Sequence, residues 1–562
     1  MAPVAVPFFV RSALMEIMVT LRHNPPYEPH DEVARTGTTA IVTKQMQTDT
    51  IGQDEVIAFL KQPAAWRDAA HAVDIIETHG AIVFMAGENV LKIKRAVKLP
   101  YFDFSTLDRR QQFARRELEI NLVNAPEIYR GVVAITREHD GSLAIGGSGV
   151  PVEWAIHMRR FNQDCLLSHV VEQHGLTTDL ATAVADAVVR SHQFARPSST
   201  TNDNLDAVAD KVLAVLSTST APQLQAPLAK FSAAIRSALT ASAAVRAKRV
   251  RDGHMRRCHG DLHLGNLVLW KGAPMLFDAI EFDEAIATID TLYDLAFLLM
   301  DLERYGARHA AHAVLNRYLW KTGDPHDIEG LAALPFFMAL RAGIRAMVTL
   351  DRARIQPDAH AELIVRAVET LHLGTALATP EPAQLTAIGG LSGTGKTTLA
   401  AMLAPHIGSA PGALHLRTDL ERKWLAGVPE FDRLPESAYT LEASDLVIAR
   451  VMARAKLALE SGHSVVLDGV FARPAERLAV EDLARTAGVR FTGLWLEAPP
   501  EVMKARVTRR THDASDATAA VVEKQLELDT GTLGWPTVDS SLAPPDLYQR
   551  ALRIAGMGAT VS

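Results

Sequence analysis

Residues 389–400 read GGLSGTGKTTLA, and this run constrains the chain more than any other stretch. Gly390, four residues, then Gly395-Lys396-Thr397 fit the phosphate-binding pattern G-x-x-x-x-G-K-[ST]. Such a loop joins a strand to a helix, so the apolar run Leu385–Ile388 predicts the strand and Thr397–Leu403 the helix. Glycines let successive backbone N–H groups surround a phosphate, and the positive end of the following helix faces the same anion. Gly390, Ser392, Gly393, Thr394, Gly395, Lys396, Thr397 and Thr398 are therefore the candidate nucleotide-binding residues. Lys396 is placed for the β- and γ-phosphates and the Thr397 hydroxyl for Mg²⁺, which makes ATP and Mg²⁺ the expected cofactors.

Beyond the loop, apolar runs at Leu385–Ile388, Ala413–Leu416, Ser464–Leu467 and Phe491–Leu496 alternate with helical patterns. That alternation predicts an α/β P-loop NTPase domain with a mostly parallel sheet over residues 385–562. Val447, Val451, Ala455 and Leu459 recur at four-residue steps in a helix around Leu446–Leu459, with Gly462 past its end. Function in such sheets gathers at the carboxyl ends of the strands. There Asp419 is the candidate that orients or deprotonates an acceptor hydroxyl, with Arg422 and Arg473 as substrate-binding candidates beside Arg477. Asp468, at the end of VVLD, is the candidate acid holding a Mg²⁺ water; the alternative for each is a helix cap or a surface side chain. Arg506, Arg509 and Arg510, followed by DASDA at 513–517, fit a mobile basic lid in which Arg506 and Arg510 face the transferring phosphate.

The chain is long enough for two or more domains at 562 residues, and its 48% hydrophobic and 22% charged composition is that of an ordinary globular protein. A net charge of −7 with no long basic run argues against nucleic acid as the main partner. Cys165 and Cys258, far apart, suggest neither a disulfide framework nor a metal cluster, and a reducing cytoplasmic setting fits. No run approaches the ~18 apolar residues of a membrane helix. Residues 1–50 show no steady periodicity and are expected to be a poorly ordered extension, with Met46 a conceivable truer start. Thr379-Pro380-Glu381-Pro382 marks a linker over 376–384.

Between these, residues 51–375 open with short helices predicted at Asp54–Leu60 and Trp66–Ile76. Ala81–Met85 and Val90–Ile93, separated by Ala86-Gly87-Glu88-Asn89, read as a hairpin. Lys92 and Lys94 share one face of its second strand: a solvated face, or one of them a phosphate-holding lysine. Ser105-Thr106-Leu107-Asp108 resembles a capping box for a helix to about Asn121, which carries Glu117 as the partner for such a lysine, unless Glu117 is a plain surface carboxylate. Strands at Val132–Ile135, Leu143–Ile145 and Trp154–Met158 complete a small sheet. Residues 163–250 are helical, with a polar break at Pro197–Asn204.

The stretch CHGDLHLGNLVLW, 258–270, carries His259, Asp261 and Asn266 at the spacing H-x-D-x-x-x-x-N. Leu267–Trp270, the turn Lys271-Gly272-Ala273 and Met275–Phe277 predict a hairpin whose closing makes Asn266 and Asp278 neighbours. Those two are candidate Mg²⁺ ligands, and Asp261 would face a substrate hydroxyl as base. A competing reading takes His259, Asp261 and His263 as a zinc set; the flanking glycines suit a loop, whereas an i,i+4 histidine pair needs a helix.

At HGDLHLGN (259–266), LFDAIEF (276–282) and TIDTLYDLAFLL (288–299), the sequence resembles the aminoglycoside phosphotransferase family, including its choline- and homoserine-kinase-like members. The resemblance implies an α+β bilobal protein-kinase-like domain, with Asp261 as base, Asn266 and Asp278 on Mg²⁺, and Asp290 and Asp294 bracing the loop. It makes Lys92 the nucleotide lysine, with Lys94 its rival. One departure is the missing G-x-G-x-x-G before the first strand, where only Gly80 and Gly87 stand. The C-terminal part looks like the gluconate-kinase, adenylylsulfate-kinase and zeta-toxin group of P-loop kinases. The combination resembles a bacterial family of two-domain predicted kinases or ATPases.

Three functions follow as expectations. The first is a bifunctional kinase transferring the ATP γ-phosphate to hydroxyls of small polar molecules, with neither nucleic acid nor membrane as partner. The second is one active P-loop kinase beside a non-catalytic kinase-like domain, and the third an ATP-hydrolysing switch or toxin-like factor.

Overall fold

A computed structural model of the chain describes residues 52–66, 72–78, 80–99, 102–510 and 513–555. The expectation for residues 1–50 lies outside the described residues. The chain divides into two compact units: 1–307 with 336–378, and 308–335 with 379–562.

The first unit begins with a six-stranded antiparallel sheet. Its spatial order is Asp74–Glu77, Ala81–Ala86, Asn89–Lys94, Val150–Arg159, Tyr129–Arg137 and Leu143–Ile145. The hairpin expected around Gly87 is present, with Ala86 opposite Asn89 and Gly87 at φ +56°, a conformation that favours glycine. The helix predicted over Trp66–Ile76 is corrected in its described part, where Asp74–Glu77 is an edge strand paired with Ile82–Met85. Its residues DIIE also satisfy a two-residue period, and pairing to a neighbouring strand decides between the two.

Alternation along the strands gives the sheet two apolar faces. Ile82, Phe84, Leu91 and Ile93 pack with Val56, Leu60 and Trp66, so the helix over 52–60 covers one face. Val83, Met85, Val90 and Ile156 pack on the other with Ala114 from the helix Leu107–Leu122. That helix is capped by Thr106, whose hydroxyl accepts from the Arg109 N–H, and not by Ser105 as the capping pattern suggested. A helical lobe follows, including Thr178–Phe194, Pro222–Arg251, Thr291–Arg304, Leu334–Ile355 and His360–Leu377. The stretch Pro325–Ile355 contains a window apolar enough to cross a membrane, which corrects the expectation that no run comes near that test. That window is 83% buried within the protein, as in the core helix of a folded domain.

The second unit holds a five-stranded, wholly parallel sheet. Its order is Leu414–Arg417, Val465–Asp468, Gln384–Gly390, Arg490–Glu497 and Thr537–Asp539. The first four are the predicted strands. The fifth is three residues long, too short for a periodicity to show. The helices Lys396–Leu403 and Pro544–Ile554 contribute Leu399, Leu403, Leu547 and Ala551 to the core against Ile388, Val466 and Leu496. The predicted helix around 446–459 spans Leu441–Glu460. The segment Arg308–Pro335 belongs to this unit: His312 Nε2 lies 3.0 Å from the Ala413 carbonyl, and the Trp320 indole donates to the Leu420 carbonyl at 3.3 Å.

Candidate functional site

In the first unit, strand alternation turns Lys92 and Lys94 to the same face, toward the helix that carries Glu117. Both lysines and Glu117 are buried, so the reading of either lysine as solvated and of Glu117 as a surface carboxylate does not hold. Lys92 Nζ donates to Glu117 Oε1 at 2.6 Å and to Asp278 Oδ1 at 2.8 Å. Lys94 reaches the other Glu117 oxygen and Glu281. Burial of five charges is tolerated because each faces an opposite one. The reach to Asp278 distinguishes Lys92 from Lys94.

The hairpin pairs Leu267 with Leu276 and Trp270 with Ala273, and the Phe277 N–H donates to the Asn266 carbonyl at 3.1 Å. Asn266 and Asp278 thus leave the hairpin one residue out of register. Asp278 stands at φ +61°, a left-handed conformation costly for a non-glycine residue, and its N–H donates to the Tyr129 hydroxyl. Asn121, at the end of the Glu117 helix, accepts from the Ala279 N–H and so locks the next residue.

Asp261 is buried beside Asn266, whose amide donates to the Asp261 carboxylate at 3.0 Å and to its carbonyl at 2.9 Å. Burial opposes ionisation of Asp261, but the neighbouring His263 and His259 rings and the Arg345 guanidinium outweigh it and hold its pKa at about 2. The histidines of the zinc reading are engaged otherwise. His259 Nε2 lies 2.9 Å from the Phe277 carbonyl while its Nδ1 accepts from the Asp261 N–H, and His263 Nδ1 accepts from Gly265 N–H. Asp294 accepts from the His259 and Gly260 N–H groups, with His192 3.1 Å away. Arg249 holds Asp290 at 2.6 and 2.8 Å. Asp294 also lies close to Cys258, whose thiol is pushed up by burial.

In the second unit the loop 390–397 bends through glycines that nothing larger replaces. Gly390, Gly393 and Gly395 have φ of +138°, +85° and +85°, and a methyl on Gly393 would stand 2.6 Å from the Met503 carbonyl oxygen. The Thr397 hydroxyl donates to Asp468 at 2.6 Å, which joins the two candidate metal-site groups of this unit. Lys396 donates to the Leu391 carbonyl, and the Ser392 N–H to Gln525. Burial lowers the Lys396 pKa, opposed by Asp468 and Asp419 and assisted by Arg510. A loop of small residues with a lysine, a hydroxyl and a carboxylate at its end fits a nucleotide polyphosphate with its divalent cation.

Gly395, Thr398, Arg506, Arg509 and Arg510 line an open cavity of about 340 Å³ with Ser540 and Leu542. Arg506 donates to the Ser540 carbonyl at 2.7 Å, while Arg510 lies 3.6 Å from Asp513. Asp419 sits in the first turn of the helix Thr418–Ala426. Arg422 donates to the Ala438 carbonyl and stacks over Tyr439. Arg473 lies elsewhere in role: at the N-cap position of the helix Pro474–Ala487 its guanidinium pairs with Asp445 and Glu476 and its N–H donates to the Glu476 carboxylate, and Arg477 is buried among backbone carbonyls. The segment after the lid arginines is anchored, because Asp516 accepts from buried Lys423 at 2.9 and 3.0 Å and from Tyr439 at 2.8 Å.

Sequence reasoning missed several contributors. Glu281 lay in plain view in DAIEF, and His415, 3.6 Å from Asp468, stands at the end of a predicted strand. Arg345, Asn121 and Tyr129 carry no local signal, since only tertiary packing brings them to Asp261 and Asp278.

Comparison with known proteins identifies the family of each part of the chain. A family described as phosphotransferase enzyme family matches residues 100–332, and an AAA domain family matches 385–528. Rv2004c, an uncharacterized protein of Mycobacterium tuberculosis, is 30% identical over 482 residues, covering 82% of this chain and 91% of its own. An adenylyl-sulfate kinase of Myxococcus xanthus is 31% identical over 117 residues, 21% of this chain and 59% of that one. Among solved structures, a choline/ethanolamine kinase family protein from Mesorhizobium loti aligns with 58% of this chain and 99% of its own, at 18% identity and a TM-score of 0.34. With a relative of this identity spanned nearly end to end, the chain belongs to the family of two-domain proteins that includes Rv2004c, a phosphotransferase-family domain followed by a P-loop kinase domain.

Proposed function

We propose that the protein is a bifunctional small-molecule kinase, in which each unit transfers the γ-phosphate of ATP to a hydroxyl of a small polar acceptor. The observation that carries this reading is the pair of complete side-chain sets. One is Lys92–Glu117–Asp278 beside Asp261–Asn266, and the other is Lys396 with Thr397–Asp468. Family membership supports phosphotransfer as the reaction class.

ATP supplies the transferable phosphoryl group, and Mg²⁺ offsets the charge on its oxygens. In the first unit Lys92 would hold the phosphates, kept in place by Glu117, with Asn266 and Asp278 as metal ligands. Asp261, with a pKa of about 2, is ionised throughout the physiological range. A carboxylate so acidic is a weak base toward a ground-state alcohol. Its contribution is to orient the hydroxyl by accepting its hydrogen bond, and to take the proton only as the new P–O bond makes that hydroxyl acidic. In the second unit Lys396, Thr397 and the loop N–H groups would hold the polyphosphate. Asp468 would fix the metal's water, Asp419 the acceptor hydroxyl, and Arg506 and Arg510 the charge on the transferring group. Arg422 remains the substrate-binding candidate of this unit.

The test compares ATP turnover of the full chain against a panel of hydroxyl-bearing metabolites with that of Asp261→Asn and Asp419→Asn. Each substitution is expected to remove at least 100-fold of the activity toward one set of acceptors and to spare the other. An ATPase rate indifferent to every acceptor, in all three proteins, would replace this reading with a nucleotide-dependent switch.

A further inference from the structure

We propose that the acceptor of the first unit is an anionic alcohol, one that carries a carboxylate or phosphate recognised by Arg345 and Arg352. This rests on the reading of that unit as a phosphotransferase and names the chemical class of its acceptor.

A cavity of about 390 Å³ opens beside the Asp261 loop, a volume within the usual ~300–1,000 Å³ of small-molecule sites. Its inner wall includes His263 and Gly265, and His263 Nε2 lies 3.5 Å from the Asp261 carboxylate. The opposite wall is the helix Leu334–Ile355, which contributes Arg345, Val348, Thr349 and Arg352. Positions 345 and 352 are seven residues apart, so both guanidiniums project from one face, about 10 Å apart along the axis. Among the described residues, neither guanidinium has a hydrogen-bond or ion-pair partner, although both residues are half-buried.

The carboxylates nearby do not supply that partner. Asp301 is committed on both oxygens, to the Leu264 N–H and to Arg304. Glu172 and Glu369 line the same cavity but are exposed. Burial lowers the Arg345 pKa, as it does that of Arg352, where the charges of Arg345 and Arg366 add to the effect. Arg345 feels the charges of Asp301 and Asp261 without an ion-pair contact, while the charges acting on Arg352 are the like charges of Arg345 and Arg366, so a ligand anion would offset the cost of burying the pair. A guanidinium matches carboxylate and phosphate geometry through paired N–H donors, and these would also draw a negative acceptor toward the negative Asp261.

The test uses residue-specific arginine modification of the full chain by phenylglyoxal, read by peptide mass spectrometry at Arg345 and Arg352. Four probes on one carbon skeleton are added separately: gluconate, glucose 6-phosphate, glucose and glucosamine. Gluconate or glucose 6-phosphate is expected to cut modification of both arginines at least fivefold, and glucose and glucosamine to leave it unchanged. Protection by one anion alone identifies whether carboxylate or phosphate is the recognised group. Equal modification with all four probes, or protection by glucosamine, would overturn the proposal. Phosphoryl transfer to the same probes is then measured in Lys396→Ala. Protection without transfer would leave the anion site standing and remove the kinase reading. Transfer to glucose or glucosamine without anion protection would do the opposite. Arg352→Gln, at the far end of the cavity, is expected to raise KM for the anionic acceptor at least tenfold with kcat little changed.

Discussion

Lys92 and Lys94 differ by two positions on one strand, and both grip Glu117, yet their other partners separate their roles. Lys92 joins Glu117 to Asp278 at the end of the hairpin, whereas Lys94 joins it to Glu281. Removing either lysine takes one of two cations from a buried cluster that holds three carboxylates, so Lys92→Met and Lys94→Met should each destabilise the first unit by about 3–5 kcal/mol. Only Lys92→Met is expected to raise the KM for ATP in that unit tenfold or more. Chemical denaturation and nucleotide kinetics on the two proteins would check this, and a larger ATP defect in Lys94→Met would exchange the assignments. Strand period pointed to Lys92 and Lys94 alike and helix position to Glu117, and the family resemblance put Lys92 first. The sequence could not show Glu281 bound to Lys94, nor Arg345 near Asp261, because those contacts join residues 84 to 187 positions apart. Arg473 misleads for the converse reason, since a guanidinium after a strand end serves equally well to pair with nearby carboxylates, here Asp445 and Glu476.

Elements whose signal is local came through from the sequence. The turn at Lys271-Gly272 sets the pairing of Leu267 with Leu276, and that pairing aligns Asn266 with Phe277, next to Asp278. The three inner parallel strands, Gln384–Gly390, Val465–Asp468 and Arg490–Glu497, are buried along most of their length, as strands covered on both faces are, whereas Leu414–Arg417 alternates at the sheet edge. Asp74–Glu77 and Thr537–Asp539 are short edge strands, and their state depends on a neighbour that periodicity does not show. In the second unit two buried histidines make the packing of these elements sensitive to pH. Burial holds His312 at a pKa of about 3 and His463 at about 4, both below an ordinary histidine near 6.5. As pH falls below 6.5 the unfolded chain binds protons there and the folded one does not, so stability is lost from about pH 6.5 down to those folded values. Between pH 7 and 5 the loss is about 2 kcal/mol for each histidine. Hydrogen exchange of the strand peptides 384–390 and 465–468 should therefore accelerate at pH 5, after correction for intrinsic rates. His463→Gln is expected to flatten that dependence, and protection identical at both pH values would contradict the burial argument.

At the scale of the whole molecule, two kinase-type units of different architecture share one chain. Their fold classes were legible because each has a short signature next to its chemistry, HGDLHLGN in one and GGLSGTGKTT in the other. The composition of the units was less so. The chain enters the second unit at Arg308, leaves it at Pro335 and re-enters at Thr379, a path that no linker-like sequence at 307 or 335 announces. Helix Arg308–Thr322 carries apolar positions that would suit either unit. What fixes it is polar and specific: Asn316 accepts from the His415 N–H at 2.7 Å, and Arg454 donates to the Leu319 carbonyl.

The account stands on two independent nucleotide sites per chain, and calorimetric titration of the full-length protein with ATP and Mg²⁺ measures that directly. Two nucleotides per chain are expected for the unaltered protein, one for Lys396→Ala, and for Lys92→Met one site unchanged with the other weakened tenfold or more. A stoichiometry of one in the unaltered protein, or of two in Lys396→Ala, would contradict it.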